Sequence, residues 1–213
     1  MAPPKMEVRF FQGSPKLSGQ FGYNLVMTRI TIDSKMTFSE ALHGSAAPEE
    51  IIATLGIVDI QYLGFDNKIH EGQIVIHKDL QAEVAYIFKQ LLLNKFPILK
   101  AVPIVAYGWS DRRSIKDNNT SAFNYRNVFA TKRLSNHSYG RAIDINPLIN
   151  PYITQNGVVR PAGPNYDPRA KGAISDGDKT VRLFLDCGWE WGGHWKEEYG
   201  YVDYQHFQKL APA

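Results

Sequence analysis

Cysteine is almost missing from this 213-residue chain, where Cys187 stands alone. A single thiol excludes an intramolecular disulfide and any cysteine-built zinc cluster, so a metal site would have to use His and carboxylates. Long apolar runs are missing too. No segment approaches the ~20 apolar residues that span a bilayer. The opening, Met1 to Phe10, lacks the apolar run of roughly 7–15 residues that forms the centre of a signal peptide. The expectation is that the protein is made without a signal or that the chain begins after one was removed. Charge of one sign is not in excess either: 24 Lys and Arg against 21 Asp and Glu give a formal net charge of +3. So small a surplus does not suit nucleic-acid binding, which needs a concentrated basic face. It is compatible with an anionic substrate. No internal repeat or low-complexity tract is visible.

What is present suffices for a core. Hydrophobic residues make up 44% of the chain and aromatics 12%, which excludes a disordered or collagen-like chain. Residues 1–22, rich in Pro, Gly and Lys, read as a loose arm ahead of one domain over 23–213. Asn24 to Ile32 alternates apolar and polar residues as a strand does, with one slip of phase. Residues 33–50 read as loops with room for a short helix. Ile57 to Leu63 and Gln73 to His77 are β-branched runs that predict strands, with a turn at Asp66-Asn67. Between Asp79 and Asn94, residues Leu80, Val84, Ile87, Phe88, Leu91 and Leu92 form one apolar stripe of a helix that Pro97 closes off. Ala101 to Trp109 reads as a strand, 110–135 as polar loop and Arg141 to Asn146 as a short strand ended by Pro147. A long loop over 147–175 precedes a helix from Gly177 to Cys187, begun by Ser175 or Asp176 and closed by Gly188. Trp189 to Trp195 is an aromatic-glycine turn and Tyr204 to Leu210 a final strand. Mixed strands with few helices predict an α+β fold: a single domain with a small antiparallel sheet and flanking helices.

Two segments carry chemistry. One runs Ser135-Asn136-His137-Ser138-Tyr139-Gly140-Arg141-Ala142-Ile143-Asp144, the other Asp203-Tyr204-Gln205-His206-Phe207. A catalytic zinc site takes three N or O ligands and keeps one position open for water. His137, Asp144 and His206 would supply the ligands, placing the zinc site at the sheet, and Asp203 could act on the water as general base. Gly140 allows a tight turn between the first two ligands. In a regular strand, positions three apart face opposite ways, so Asp203 is expected in a turn, outside the ligand set. The same residues also suit ordinary surface hydrogen bonds. His43, His70 and His77 lack any visible carboxylate framework and read as surface or strand-end residues.

The pattern Ser-x-His-x-x-Gly-x-Ala-x-Asp, followed far downstream by Asp-x-x-His, resembles the zinc peptidases of the D-alanyl-D-alanine carboxypeptidase family. That family includes carboxypeptidases, dipeptidases and L-alanyl-D-glutamate endopeptidases acting on peptidoglycan peptides. The resemblance runs from about Gly56 through Gln208 and includes Asn119 to Arg126 and the Trp191-Gly192-Gly193 turn. It implies a zinc-dependent peptidase with His137, Asp144 and His206 as ligands and Asp203 as catalytic base. Its further implications are a peptidoglycan stem peptide as substrate and a place in the cell envelope, periplasmic or secreted. Arg126 resembles the family's arginine that binds substrate near the scissile carbonyl or its carboxylate. A structural salt bridge is the other reading of Arg126, and Ser135 either touches the site or caps the turn. Where the family often has Asp before Trp, this chain has His194 before Trp195. Trp189, Trp191 and Trp195 either wall a cleft or belong to the core. The rival function is a non-catalytic zinc-bearing cell-wall binding module on the same scaffold.

Overall fold

The computed structural model describes residues 30–129, 131–162 and 165–211. The expected arm over 1–22, and the expected strand up to Arg29, lie outside the described residues. The fold is α+β in one compact domain, its strands divided among several small sheets.

The largest sheet is a long hairpin. Leu55–Leu63 pairs antiparallel with Ile69–His77 over nine positions, and Thr31–Ile32 joins its edge in parallel. The turn at Asp66-Asn67 forms as expected. Asn67 takes a positive φ of 62°, and the Asp66 carboxylate accepts the backbone N–H of Lys68. The helix Gln81–Leu93 lies across this hairpin. Its stripe of Val84, Ile87, Phe88 and Leu91 is buried against Val58, Ile60, Ile74 and Ile76. Each such side chain contributes about 1.5–3 kcal/mol by leaving water. The helix is not entered through an Asp79 cap. A 3-10 turn, Lys78–Leu80, precedes it, and the His77 ring accepts the N–H of Asp79.

Four expectations give way here. Ala101 to Trp109 is not a strand: only Lys100–Ala101 pairs, and Ile104–Tyr107 winds into a 3-10 turn. Pro103 removes an N–H that a ladder would need, and Gly108 ends the turn in the left-handed region. The polar stretch 110–135 contains a helix, Asp111–Lys116, capped by Ser110, and a strand, Asn119–Thr120. The last long helix is Lys179–Asp186. Its cap is Asp178, whose carboxylate accepts the N–H of Val181. Gly188 closes it with a φ of +77° as expected. Within the expected long loop, Tyr152–Ile153 and Val159–Arg160 form a small hairpin.

The sheet that matters for the site joins Ala142–Asp144, His206–Gln208 and Glu190–Trp191, all antiparallel. Its register sets Ile143 opposite Phe207 and Asp144 opposite His206. Because strand side chains alternate, one face drives Ile143 and Phe207 into the core. There Phe207 stacks on Phe184. The other face carries Asp144 and His206 side by side.

Candidate metal centre

His137 comes to this face from a 3-10 turn, Asn136–Tyr139. Ser135 caps that turn by accepting the N–H of His137, one of its two expected roles. Gly140 ends the turn with a φ of +62°. A Cβ there would stand 2.6 Å from Leu55 and 2.7 Å from the backbone nitrogen of His77. Only glycine meets both demands. The turn is tied to the hairpin, since the Gly140 carbonyl accepts the N–H of His77. It is tied to its other neighbour by Ser138, whose hydroxyl donates to the Arg126 carbonyl and accepts the Arg126 N–H.

These elements bring His137, Asp144 and His206 together, with one ligand atom from each lying within 4.8 Å of the others. His137 is 3% exposed, Asp144 7% and His206 7%. His137 Nε2 lies 3.1 Å from Asp144 Oδ2, His206 Nδ1 lies 3.0 Å from Asp144 Oδ1, and the two ring nitrogens are 3.2 Å apart. The outward nitrogens decide what this means. His137 Nδ1 lies 2.6 Å from the Ala122 carbonyl, an acceptor only, so it carries the hydrogen. His206 Nε2 lies 3.2 Å from Gln208 Oε1 and donates to it. In their neutral forms both rings would then aim lone pairs at the carboxylate. Three acceptors turned on one buried point repel one another unless a cation stands between them, and this donor set of two imidazoles and one carboxylate suits zinc.

Without a metal, the carboxylate and the rings favour a shared proton, and a cation would take its place. Burial alone would push the Asp144 carboxyl up, but the facing imidazoles of His137 and His206 hold it well below the usual carboxylate range. Burial alone would lower His206, yet the carboxylates of Asp144 and Asp203 raise it.

Asp203 stands apart from the three converging groups. It lies in a two-residue strand, Val202–Asp203, and the expected turn falls one step later, at Tyr204-Gln205. That turn brings the chain from Asp203 back to His206, near enough for the two to interact electrostatically. Burial pushes the Asp203 carboxyl up to about 6, against the pull of His206 and with the push of Asp144. Gln205 donates to Asp203 Oδ1 at 3.1 Å. Gly192 packs on this residue so closely that a Cβ would sit 2.5 Å from the Asp203 carbonyl oxygen.

Arg126 is held by backbone to the turn carrying His137, but its side chain turns to Asp111. Arg126 Nε is buried 3.2 Å from Asp111 Oδ1, at ion-pair distance without hydrogen-bond alignment. Asp111, Gln205 and Gln208 were not singled out from the sequence. For Gln208 a signal existed, since it lies two residues beyond His206 and so on the same strand face.

The other singled-out residues divide. Trp189 and Trp191 are core, each 2% exposed, whereas Trp195 is half-buried with its ring 5.2 Å from that of His206. His194 is exposed at the end of a 3-10 turn, Gly192–His194, and paired with Asp176 at 3.0 Å. His70 departs from expectation: it sits between Asp33, 2.8 Å from Nδ1, and Asp66, 3.1 Å from Nε2. Asp33 lies 37 residues away in sequence, which hid that half of the framework, whereas Asp66 stands four residues before His70.

Residues 130–209 match the family described as D-alanyl-D-alanine carboxypeptidase, the family that the histidine–aspartate motif resembles. The matched stretch, less than half of the chain, contains His137, Asp144, Asp203 and His206 and begins after Arg126. No curated protein and no solved structure matches the chain.

Proposed function

We propose, from the match of residues 130–209 to D-alanyl-D-alanine carboxypeptidases, that the protein is a zinc-dependent peptidase hydrolysing peptide bonds in peptidoglycan stem peptides. The peptidase domain would span 23–213 and act in the cell envelope, where that substrate lies. No helix among the described residues is long and apolar enough to cross a membrane. The observation that carries the reading is the convergence of three buried acceptors whose ring tautomers are both set from behind.

In this reading His137, Asp144 and His206 hold the metal. Bound zinc would supply a Lewis acid that polarises the scissile carbonyl and makes water acidic. Asp203 takes the proton of the attacking water. With Oδ1 engaged by Gln205, the other oxygen is the base. The same carboxyl then hands its proton to the leaving amine. Arg126 binds the substrate carboxylate or the developing oxyanion, which a planar guanidinium suits. Trp195, beside His206, borders the place where substrate would lie.

The test is digestion of defined muropeptides by the zinc-loaded protein, with product masses. Release of terminal D-Ala indicates a carboxypeptidase, and cleavage within the stem an endopeptidase. Zinc binding with no cleavage of any muropeptide would favour the binding module over the enzyme.

A further inference from the structure

We infer that Gln208 is a positioning residue of the metal centre: it holds His206 in the tautomer that turns Nδ1 toward Asp144 and His137, and Glu190 fixes which way the Gln208 amide points. The inference rests on the zinc site proposed above.

A neutral imidazole carries its hydrogen on one nitrogen or the other, and its neighbours decide which. For His137 the decision belongs to backbone, because the Ala122 carbonyl can only accept. For His206 it belongs to a side chain, and an amide could present either oxygen or nitrogen. Nitrogen toward His206 would call for an acceptor at Nε2 and move the ring hydrogen to Nδ1, into the metal position. Two contacts set the amide the right way round. Glu190 Oε2 lies 2.7 Å from Gln208 Nε2, and a carboxylate only accepts, so the amide nitrogen must face it. Gln208 Oε1 then faces inward, where it accepts from Asn136 Nδ2 at 2.6 Å and from His206 Nε2 at 3.2 Å.

Geometry makes this a relay across the sheet. Gln208 and His206 share a strand face, and Glu190 is opposite Gln208 in the neighbouring strand. Asn136 is the residue before His137. Through one amide oxygen, Gln208 thus links the turn carrying one histidine to the strand carrying the other. Gln208 touches none of the reacting groups. It acts through His206, by keeping a lone pair on Nδ1 and by making the ring a better donor to a cation.

The experiment measures zinc affinity by competition with a chromogenic chelator, on the full chain at neutral pH, beside melting of the metal-free protein. Gln208→Met keeps the length of the side chain and removes the acceptor. Its zinc dissociation constant should rise about 10–100-fold, with little change in metal-free melting temperature. The paired swap of Gln208→Glu with Glu190→Gln restores an acceptor facing His206 and should bind zinc nearly as the parent does. Parent-like affinity in Gln208→Met overturns the inference. So does a swap variant as weak as Gln208→Met, since shape rather than the acceptor would then matter. Should Gln208→Met fail to fold, nitrogen-15 spectra of the zinc-loaded parent decide. A hydrogen on His206 Nε2 supports the relay, and a hydrogen on Nδ1 overturns it. A parent that binds no zinc defeats the metal site itself, and the inference with it.

Discussion

The carboxyl of Asp203 is pushed up to about 6 by burial, and Gln205 holds one of its oxygens. A base must be ionised to take a proton, so activity should fall as pH falls through the acid range. A cation held by the three ligands favours the carboxylate further and moves that limb down. The acid limb of kcat/KM is therefore expected at or below about pH 6, with the rate rising toward neutrality. Activity that declines as pH climbs through this range would contradict the assignment. Asp203→Asn keeps the shape and the Gln205 contact and should lower turnover ~10²–10⁴-fold with zinc content unchanged. Near-normal turnover would mean that another group takes the proton. Arg126 is the less secured partner, being paired with Asp111 and outside the family match. If it binds substrate, Arg126→Lys loses the planar fork, and kcat/KM should fall about 10–100-fold, as for a lost hydrogen bond to a charged group. Unchanged kcat and KM with a lower melting temperature would make it an ion-pair residue alone.

At the scale of elements, the site depends on a turn and a register. Gly140 is the fixed point of the turn. Gly140→Ala meets both a left-handed backbone and contacts with Leu55 and His77. The two together should destabilise by roughly 2–4 kcal/mol. Melting should show the loss, and zinc affinity should drop as the turn moves His137. An alanine variant with parent-like melting and affinity would show that the turn tolerates a Cβ. The same elements explain what could be read in advance. His137 and Asp144 belong to one short motif around a glycine, so their partnership was legible locally. The helix Gln81–Leu93 was legible because its stripe repeats at helical spacing. Ala101 to Trp109 misled because an apolar β-branched run looks like a strand until Pro103 and Gly108 are weighed. Asp111 and Asp33 could not be read, since their partners lie far along the chain and only tertiary packing brings them near. The alternation that puts Gln208 beside His206 was present in the sequence.

At the scale of the molecule, the core and the site share one sheet. Ile143 and Phe207 anchor its inner face while Asp144 and His206 occupy the outer one. The scaffold thus presents Asp144 and His206 from a packed support and adds His137 from a turn tied to the hairpin. A preformed cluster of three acceptors is electrostatically incomplete until a cation enters. Binding should therefore stabilise the whole fold by mass action, and a chelator should lower its melting temperature. The most direct measurement is zinc stoichiometry and affinity by equilibrium dialysis with elemental analysis, for the parent and for His137→Ala, Asp144→Ala and His206→Ala. The account predicts one zinc per parent chain and a severe loss of affinity in each variant. A parent without zinc, or variants that bind it as tightly as the parent, would contradict the account.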